Sequence, residues 1–270
     1  MSNLVVIPSN KEDINKILNK DIKGIILGIK SLSIYPLELD IDSIIEIKNN
    51  TDKKVYVIIN KMIHNNDLDI VRNVLNKINN SNIDGIIFYD LGVFNIIKKM
   101  NINKELILSM EHLNASINSH LFYKKRGITG SIVTNDITYK EVLDIKSNTN
   151  MNIFYTVYGY LPIFYSRRSL ITNYFKYIDK ENNSDRYYIY NDNMKYMVIE
   201  HSYGTIIYSP LVNMINEIDK LSDIDNLIID LSYNNIDIID KYLNKEHMDN
   251  TYTGFFDKKT IYKLRGGNNE

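Results

Sequence analysis

The chain has no cysteine and no tryptophan, only four prolines and eleven glycines in 270 residues, and no excess of either charge. The missing thiols exclude disulfides, thiolate catalysis, cysteine-ligated zinc and an iron–sulfur cluster held by this chain alone. With 32 Lys and Arg against 33 Asp and Glu, no global field recruits DNA or an anionic membrane, and any anion binding must be local. No apolar run approaches the ~20 residues of a membrane span. The N-terminal Met-Ser-Asn-Leu-Val-Val-Ile-Pro has neither the basic start nor the apolar core of a signal peptide. A cytoplasmic protein without a membrane partner is therefore expected. His-Glu-x-x-His, Gly-x-Ser-x-Gly and phosphate-loop motifs are missing too. The five histidines, at positions 64, 112, 120, 201 and 247, do not fall at metal-ligand spacing, so neither a metal nor another cofactor is expected.

What is present is an alternation of apolar runs and helical spacing. The runs are Leu4 to Ile7, Gly24 to Ile29, Val55 to Asn60, Gly85 to Tyr89, Leu106 to Met110, Gly130 to Val133, Ile153 to Tyr158 and Leu227 to Leu231. They are mostly apolar, and Val55 to Asn60 is a continuous apolar run of the kind found in strands covered on both faces. Between them lie segments of helical period such as Asp67 to Ile78, with Leu68, Val71, Val74, Leu75 and Ile78 on one face. A doubly wound open sheet gives the same alternation, but eight strand and helix units is the number that closes a (β/α)₈ barrel of the TIM type. The region 179–209 departs from the pattern with a polar loop and alternating runs, which predicts a small antiparallel β insertion after the seventh unit. The expected organisation is thus one barrel domain over 1–270. Leu211 to Leu221 reads as a further helix.

In such barrels function gathers at the carboxyl ends of the strands. There the sequence places Asn60, Asp90 and the run Glu111-His112-Leu113-Asn114, of which Glu111, His112, Asn114 and Asp90 are candidates for acid–base work and for fixing a reacting group. After the seventh strand comes the most distinctive stretch, in which Tyr158, Tyr160, Phe164 and Tyr165 surround the adjacent Arg167 and Arg168, with Asn173 beyond. Arginine beside aromatic rings suits an anionic or planar ligand, so Arg168, Arg167, Tyr165, Asn60, Tyr158 and Asn173 are the candidate binding residues. The alternatives are ordinary ones: Asn and Asp cap helices, and loop tyrosines pack. The 21 tyrosines carry no weight by number, since a biased genome composition spreads them everywhere.

Several pieces in order carry a family resemblance: Gly24-Ile-Ile-Leu-Gly28, Lys54-Val-Tyr-Val-Ile-Ile-Asn60 with His64-Asn65, Asp84-Gly-Ile-Ile-Phe-Tyr-Asp90-Leu-Gly92, and Leu108-Ser-Met-Glu-His-Leu-Asn114. They continue with Tyr158-Gly-Tyr-Leu, Ser166-Arg-Arg-Ser-Leu-Ile-Thr-Asn-Tyr174, Glu200 to Ser209 and Thr253-Gly-Phe-Phe256. The chain resembles peptidase family U32, the collagenase-like peptidase family, over nearly its whole length. The resemblance implies a TIM-type barrel. It also implies relatives that hydroxylate transfer RNA, ribosomal RNA or a quinone precursor without oxygen, carrying an iron–sulfur cluster. Where the family pattern has cysteines, this chain has Pro162 and Ser169, and the later pair has no counterpart in Asp179 to Tyr190. Two readings follow. One is a cluster-free barrel that binds RNA or a small anionic metabolite, acting in hydroxylation. The other is a non-catalytic partner of a cysteine-bearing family member. Peptidase (hydrolase) activity ranks third, because Ser166 and Ser169 have no recognisable base.

Overall fold

The computed structural model describes residues 3–110, 112–191 and 194–258. Eight parallel strands form a closed ring: β1 (Leu4–Ile7), β2 (Gly24–Ile29), β3 (Lys54–Ile59), β4 (Gly85–Phe88), β5 (Glu105–Ser109), β6 (Gly130–Ile132), β7 (Asn152–Gly159) and β8 (Asn226–Asp230). Closure is by β1, whose Val5 lies beside Ile228 of β8 on one side and beside Gly24 of β2 on the other. The (β/α)₈ barrel expected from the apolar runs is the observed fold.

The continuous apolar runs are explained by two separate cores. Val5, Ile26, Tyr56, Ile87, Ile107, Phe154 and Ile228 fill the barrel interior, where Tyr56 and Phe154 meet edge to face at 5.3 Å. The alternate residues, such as Val6, Ile25, Val57 and Ile229, face a larger core under the helices. Period-two alternation then separates apolar from apolar, so it leaves no polar trace in the sequence.

The antiparallel insertion is a four-stranded sheet with strand order Arg186–Asn191, Met194–His201, Gly204–Tyr208, Pro162–Ser166. The last of these lies outside the 179–209 region expected to form the insertion; Pro162 is the first residue of this edge strand, where its missing N–H costs nothing. The helix that follows starts at Leu170. Leu211 to Leu221 also differs from expectation. Val212–Asn213 pairs antiparallel with the end of β7, and Ile215–Leu221 is a 3-10 helix. Tertiary contacts decide this: the Tyr242 hydroxyl accepts the Met214 N–H at 3.1 Å and donates to the Val157 carbonyl at 2.8 Å, which pins the segment against β7.

The helix Leu170–Tyr177 receives its N-terminal cap from elsewhere in the chain. The Glu200 carboxylate accepts the Ile171 N–H at 2.8 Å and the Thr172 N–H at 3.2 Å, and also accepts from the Thr172 and Thr205 hydroxyls. A negative group on free N–H donors at the positive end of the helix dipole stabilises it. Glu200→Ala should cost about 1 kcal/mol, in the range of lost N-caps. The check is a lower urea midpoint, with faster amide exchange in residues 171–174 and unchanged exchange in β1–β8.

Candidate functional site

A cavity of about 300 Å³ opens at the carboxyl ends of the strands, a volume at the lower end of small-ligand sites. Ile7, Ile132, Thr156 and Ile228 form its floor, and Asn60, Ser109, His112, Asn135, Asp136 and Asp230 stand around it at the strand ends. Tyr160 to Ile163 and Tyr196 close it from the inserted sheet, and Tyr252 to Phe255 close it from the end of the described chain. No lysine or arginine is among the described residues that line it.

The wall carries a histidine–carboxylate pair. His112 Nδ1 lies 2.6 Å from Asp136 Oδ2, and the same oxygen accepts from the Thr134 hydroxyl at 3.2 Å. An ionised carboxylate only accepts, so the proton of a neutral His112 sits on Nδ1 and leaves Nε2 with a lone pair. That is how a general base is held in one tautomer. Asn135 sits beside the pair, its amide donating to the Thr156 carbonyl at 2.8 Å.

Above the cavity the inserted sheet packs through tyrosines. Tyr208 and Tyr233 hydroxyls are 3.2 Å apart, and the Tyr203 hydroxyl donates to the Ile34 carbonyl at 2.7 Å. Burial drives the Tyr233 hydroxyl up to about 12 and also raises that of Tyr208, so both stay protonated.

The residues singled out from sequence do not all meet here. His112 and Asn60 do line the cavity, although Asn60 spends its carbonyl oxygen on the Ser33 hydroxyl at 3.1 Å and the Ile34 N–H at 3.0 Å. Tyr165 lies with Asn60 and His112 around a neighbouring hollow of about 200 Å³, its ring edge-on to Tyr203. Asp90 caps the helix Leu91–Lys99 through the Gly92 and Val93 N–H groups and is not on the cavity wall. Asn114 is buried outside the barrel, its amide donating to Ser131 Oγ at 3.0 Å and to the Ile132 carbonyl at 3.2 Å. Tyr158 also points outward: pairing steps from Thr156–Ile228 to Tyr158–Ile229, so a bulge at Val157 turns the tyrosine onto Tyr242. Arg167, Arg168 and Asn173 are exposed, away from the cavity wall. Glu111 lies outside the described residues.

Two wall residues escaped the sequence reading. Asp136 follows Asn135 directly in a loop whose polar residues look like caps. Asp230 sat inside a strand drawn through Leu231, whereas β8 ends on it. The usable signal was a carboxylate closing the apolar run Leu227 to Ile229.

The sequence profile of Peptidase family U32 matches residues 10–250. The chain belongs to peptidase family U32. Among characterised family-like proteins, tRNA hydroxylation protein P2 of Bacillus subtilis (strain 168) is 26% identical over 246 residues, 84% of this chain and 78% of that protein. The tRNA hydroxylation protein P1 of the same strain is 23% identical over 130 residues, 48% of this chain and 31% of that protein. The iron–sulfur cluster that the family resemblance implies does not fit this member of U32. The chain offers no thiolate, and among the described residues no three His, Asp or Glu side chains converge as a metal site. At the two positions where the family resemblance implies cysteines, Pro162 opens a strand at the cavity rim and Ser169 is an exposed residue ahead of the helix Leu170–Tyr177. Ser166 accepts the Arg168 N–H at 3.2 Å and is not on the cavity wall, nor is Ser169. No described helix is long and apolar enough to cross a membrane.

Proposed function

We propose that this U32 protein binds an RNA nucleotide with its base in the barrel cavity and acts in tRNA hydroxylation. The observation that carries the reading is the wall of that cavity: a His112–Asp136 pair at 2.6 Å, amides and hydroxyls around it, and no described cation. A carboxylate or phosphate ligand placed there would meet the Asp230 carboxylate, with no lysine or arginine among the described lining residues. A neutral heterocycle with donors and acceptors on its edge meets groups it can pair with. The phosphate on the ribose of that nucleotide would remain outside, on the side where Arg167 and Arg168 are exposed to solvent four and five residues beyond the rim residue Ile163. The likeness to the two Bacillus proteins named for tRNA hydroxylation supports the choice of RNA over a free metabolite.

In this reading the chain's own residues bind, orient and move a proton, with His112 Nε2 as the acceptor and Asp136 stabilising the imidazolium that forms. Replacing hydrogen by hydroxyl is a two-electron oxidation, and this chain has no thiolates with which to hold an iron–sulfur redox centre. The absence of cysteine therefore also favours a second reading, in which the protein is the partner subunit of a cysteine-bearing family member.

The test is nucleoside mass spectrometry on tRNA from cells lacking the protein, complemented with wild type, His112→Ala, Asp136→Asn or Arg168→Ala. Wild type should restore a hydroxylated nucleoside. His112→Ala should slow its formation about a hundredfold or more, the lower end of general-base contributions, and Arg168→Ala should reduce it less. Full restoration by His112→Ala would remove the catalytic reading and leave the partner reading, which predicts co-purification with a cysteine-bearing relative. A profile unchanged by loss of the protein would end the assignment to tRNA hydroxylation.

A further inference from the structure

Asp230 is the last residue of β8, 8% exposed, and part of the cavity wall. One oxygen, Oδ1, accepts the Ser232 N–H at 2.8 Å. Among the described residues no lysine, arginine or histidine forms an ion pair with it: the nearby polar groups are Ser232 and the Tyr208–Tyr233 hydroxyl pair, and the His112–Asp136 pair also lines the cavity. The backbone of β7 presses against it from the other side. Gly159, at φ +133°, comes so close that a Cβ there would lie 2.7 Å from the Asp230 Cβ and 3.0 Å from its carbonyl oxygen. The carboxyl is thus held in place at a cavity wall, desolvated and without a counter-ion. Fold stability alone does not maintain such a group, because a buried carboxylate that lacks a cation is a cost. Burial also raises its proton affinity.

We infer that Asp230 is a specificity-determining contact of the cavity, its Oδ2 accepting a hydrogen bond from an N–H on the edge of the bound base. This rests on the nucleotide reading above and narrows it. The ligand presents a ring N–H or an exocyclic amine towards β8, so a base offering only acceptors on that edge is rejected. A group that reads the ligand against a buried, otherwise uncompensated charge discriminates strongly, because the wrong ligand leaves that charge unpaired.

The experiment compares wild type, Asp230→Asn and Asp230→Ala for binding of total tRNA from cells lacking the protein, and for thermal stability without RNA, both at pH 7.5. If Asp230 reads the base, Asp230→Asn binds tRNA about tenfold more weakly, as expected for one lost base contact, while melting several degrees higher than wild type. Asp230→Ala, which keeps no polar group, also loses binding, so two chemically different variants agree. Wild-type binding with unchanged binding by Asp230→Asn overturns the role of Asp230 and leaves the nucleotide reading intact. A lower melting temperature for Asp230→Asn shows a structural carboxylate and overturns the inference as well. No tRNA binding by wild type ends the nucleotide reading, and this inference with it.

Discussion

Phe256→Ala should lower the stability of the protein by about 3–5 kcal/mol, the range for truncating a fully buried aromatic residue. Phe256 is 0% exposed. Its ring stacks on Tyr139 at a centroid distance of 4.9 Å with 17° between planes, and its carbonyl accepts the Tyr139 N–H at 3.0 Å. Tyr139 opens the helix that follows β6, directly after the loop carrying Asp136. The aromatic stack therefore ties Tyr252 to Phe255, one wall of the cavity, to the loop that supplies another. Removing the ring leaves a hole between these two segments and frees both, so the loss has a functional side as well. The measurement is urea unfolding of the variant beside Phe255→Ala, whose 39% exposed side chain makes it a control expected to cost under about 1 kcal/mol. Phe256→Ala should shift the midpoint strongly at unchanged slope. Equal effects of the two variants would mean that Phe256 is not the anchor. In tRNA binding, Phe256→Ala should also be the weaker of the two at a temperature where both remain folded.

The barrel was legible because its strands are buried on both faces, which makes each of them a compact apolar run such as Val55 to Ile59 or Ile86 to Phe88. What the runs do not encode is how their ends are used. Asp90 and Asn114 look equivalent in sequence, each a polar residue shortly after a strand. One caps a helix through two backbone N–H groups, and the other disappears between sheet and helix to donate to Ser131 and Ile132. Tyr158 was placed at the mouth by counting along β7, and a single unpaired residue in the ladder reverses its direction. The inserted sheet was three-quarters legible. Its fourth strand pairs Tyr165 with Ile206 and Phe164 with Ile207 across some forty residues of sequence, and no local propensity announces such a partner. His112 was legible as a functional histidine, but its meaning comes from Asp136, 24 residues away and brought within 2.6 Å by the next strand–loop unit. The sequence thus reveals strands through composition, whereas site geometry depends on bulges, caps and contacts between successive loops.

The stability of wild type relative to Asp230→Asn should depend on pH in a direction opposite to that of a salt-bridged aspartate. Burial is the dominant cause that lifts the Asp230 carboxyl from 3.8 to about 6, against a smaller lowering by the Ser232 hydrogen bonds. In the unfolded chain the group titrates near its ordinary value, so between pH 4 and 6 the folded state holds the extra proton. Stability then falls as pH rises through this window. The cost is absent below about pH 4, where both states are protonated, and complete above about pH 6, where the folded protein must keep a buried charge. A difference of roughly two pK units corresponds to about 3 kcal/mol. Asp230→Asn has no charge to bury, so its advantage over wild type should grow from near zero at pH 4 to about 3 kcal/mol at pH 7.5. The neighbouring titratable groups do not produce this slope. The Tyr208 and Tyr233 hydroxyls stay neutral throughout, and His112, Asp136 and His201 are common to both proteins and cancel in the difference. Urea unfolding of the two proteins at four pH values between 4 and 7.5 measures it. An advantage that is constant across the window, or one that shrinks as pH rises, would mean that the carboxylate is compensated in the folded protein and is not held uncompensated for a ligand.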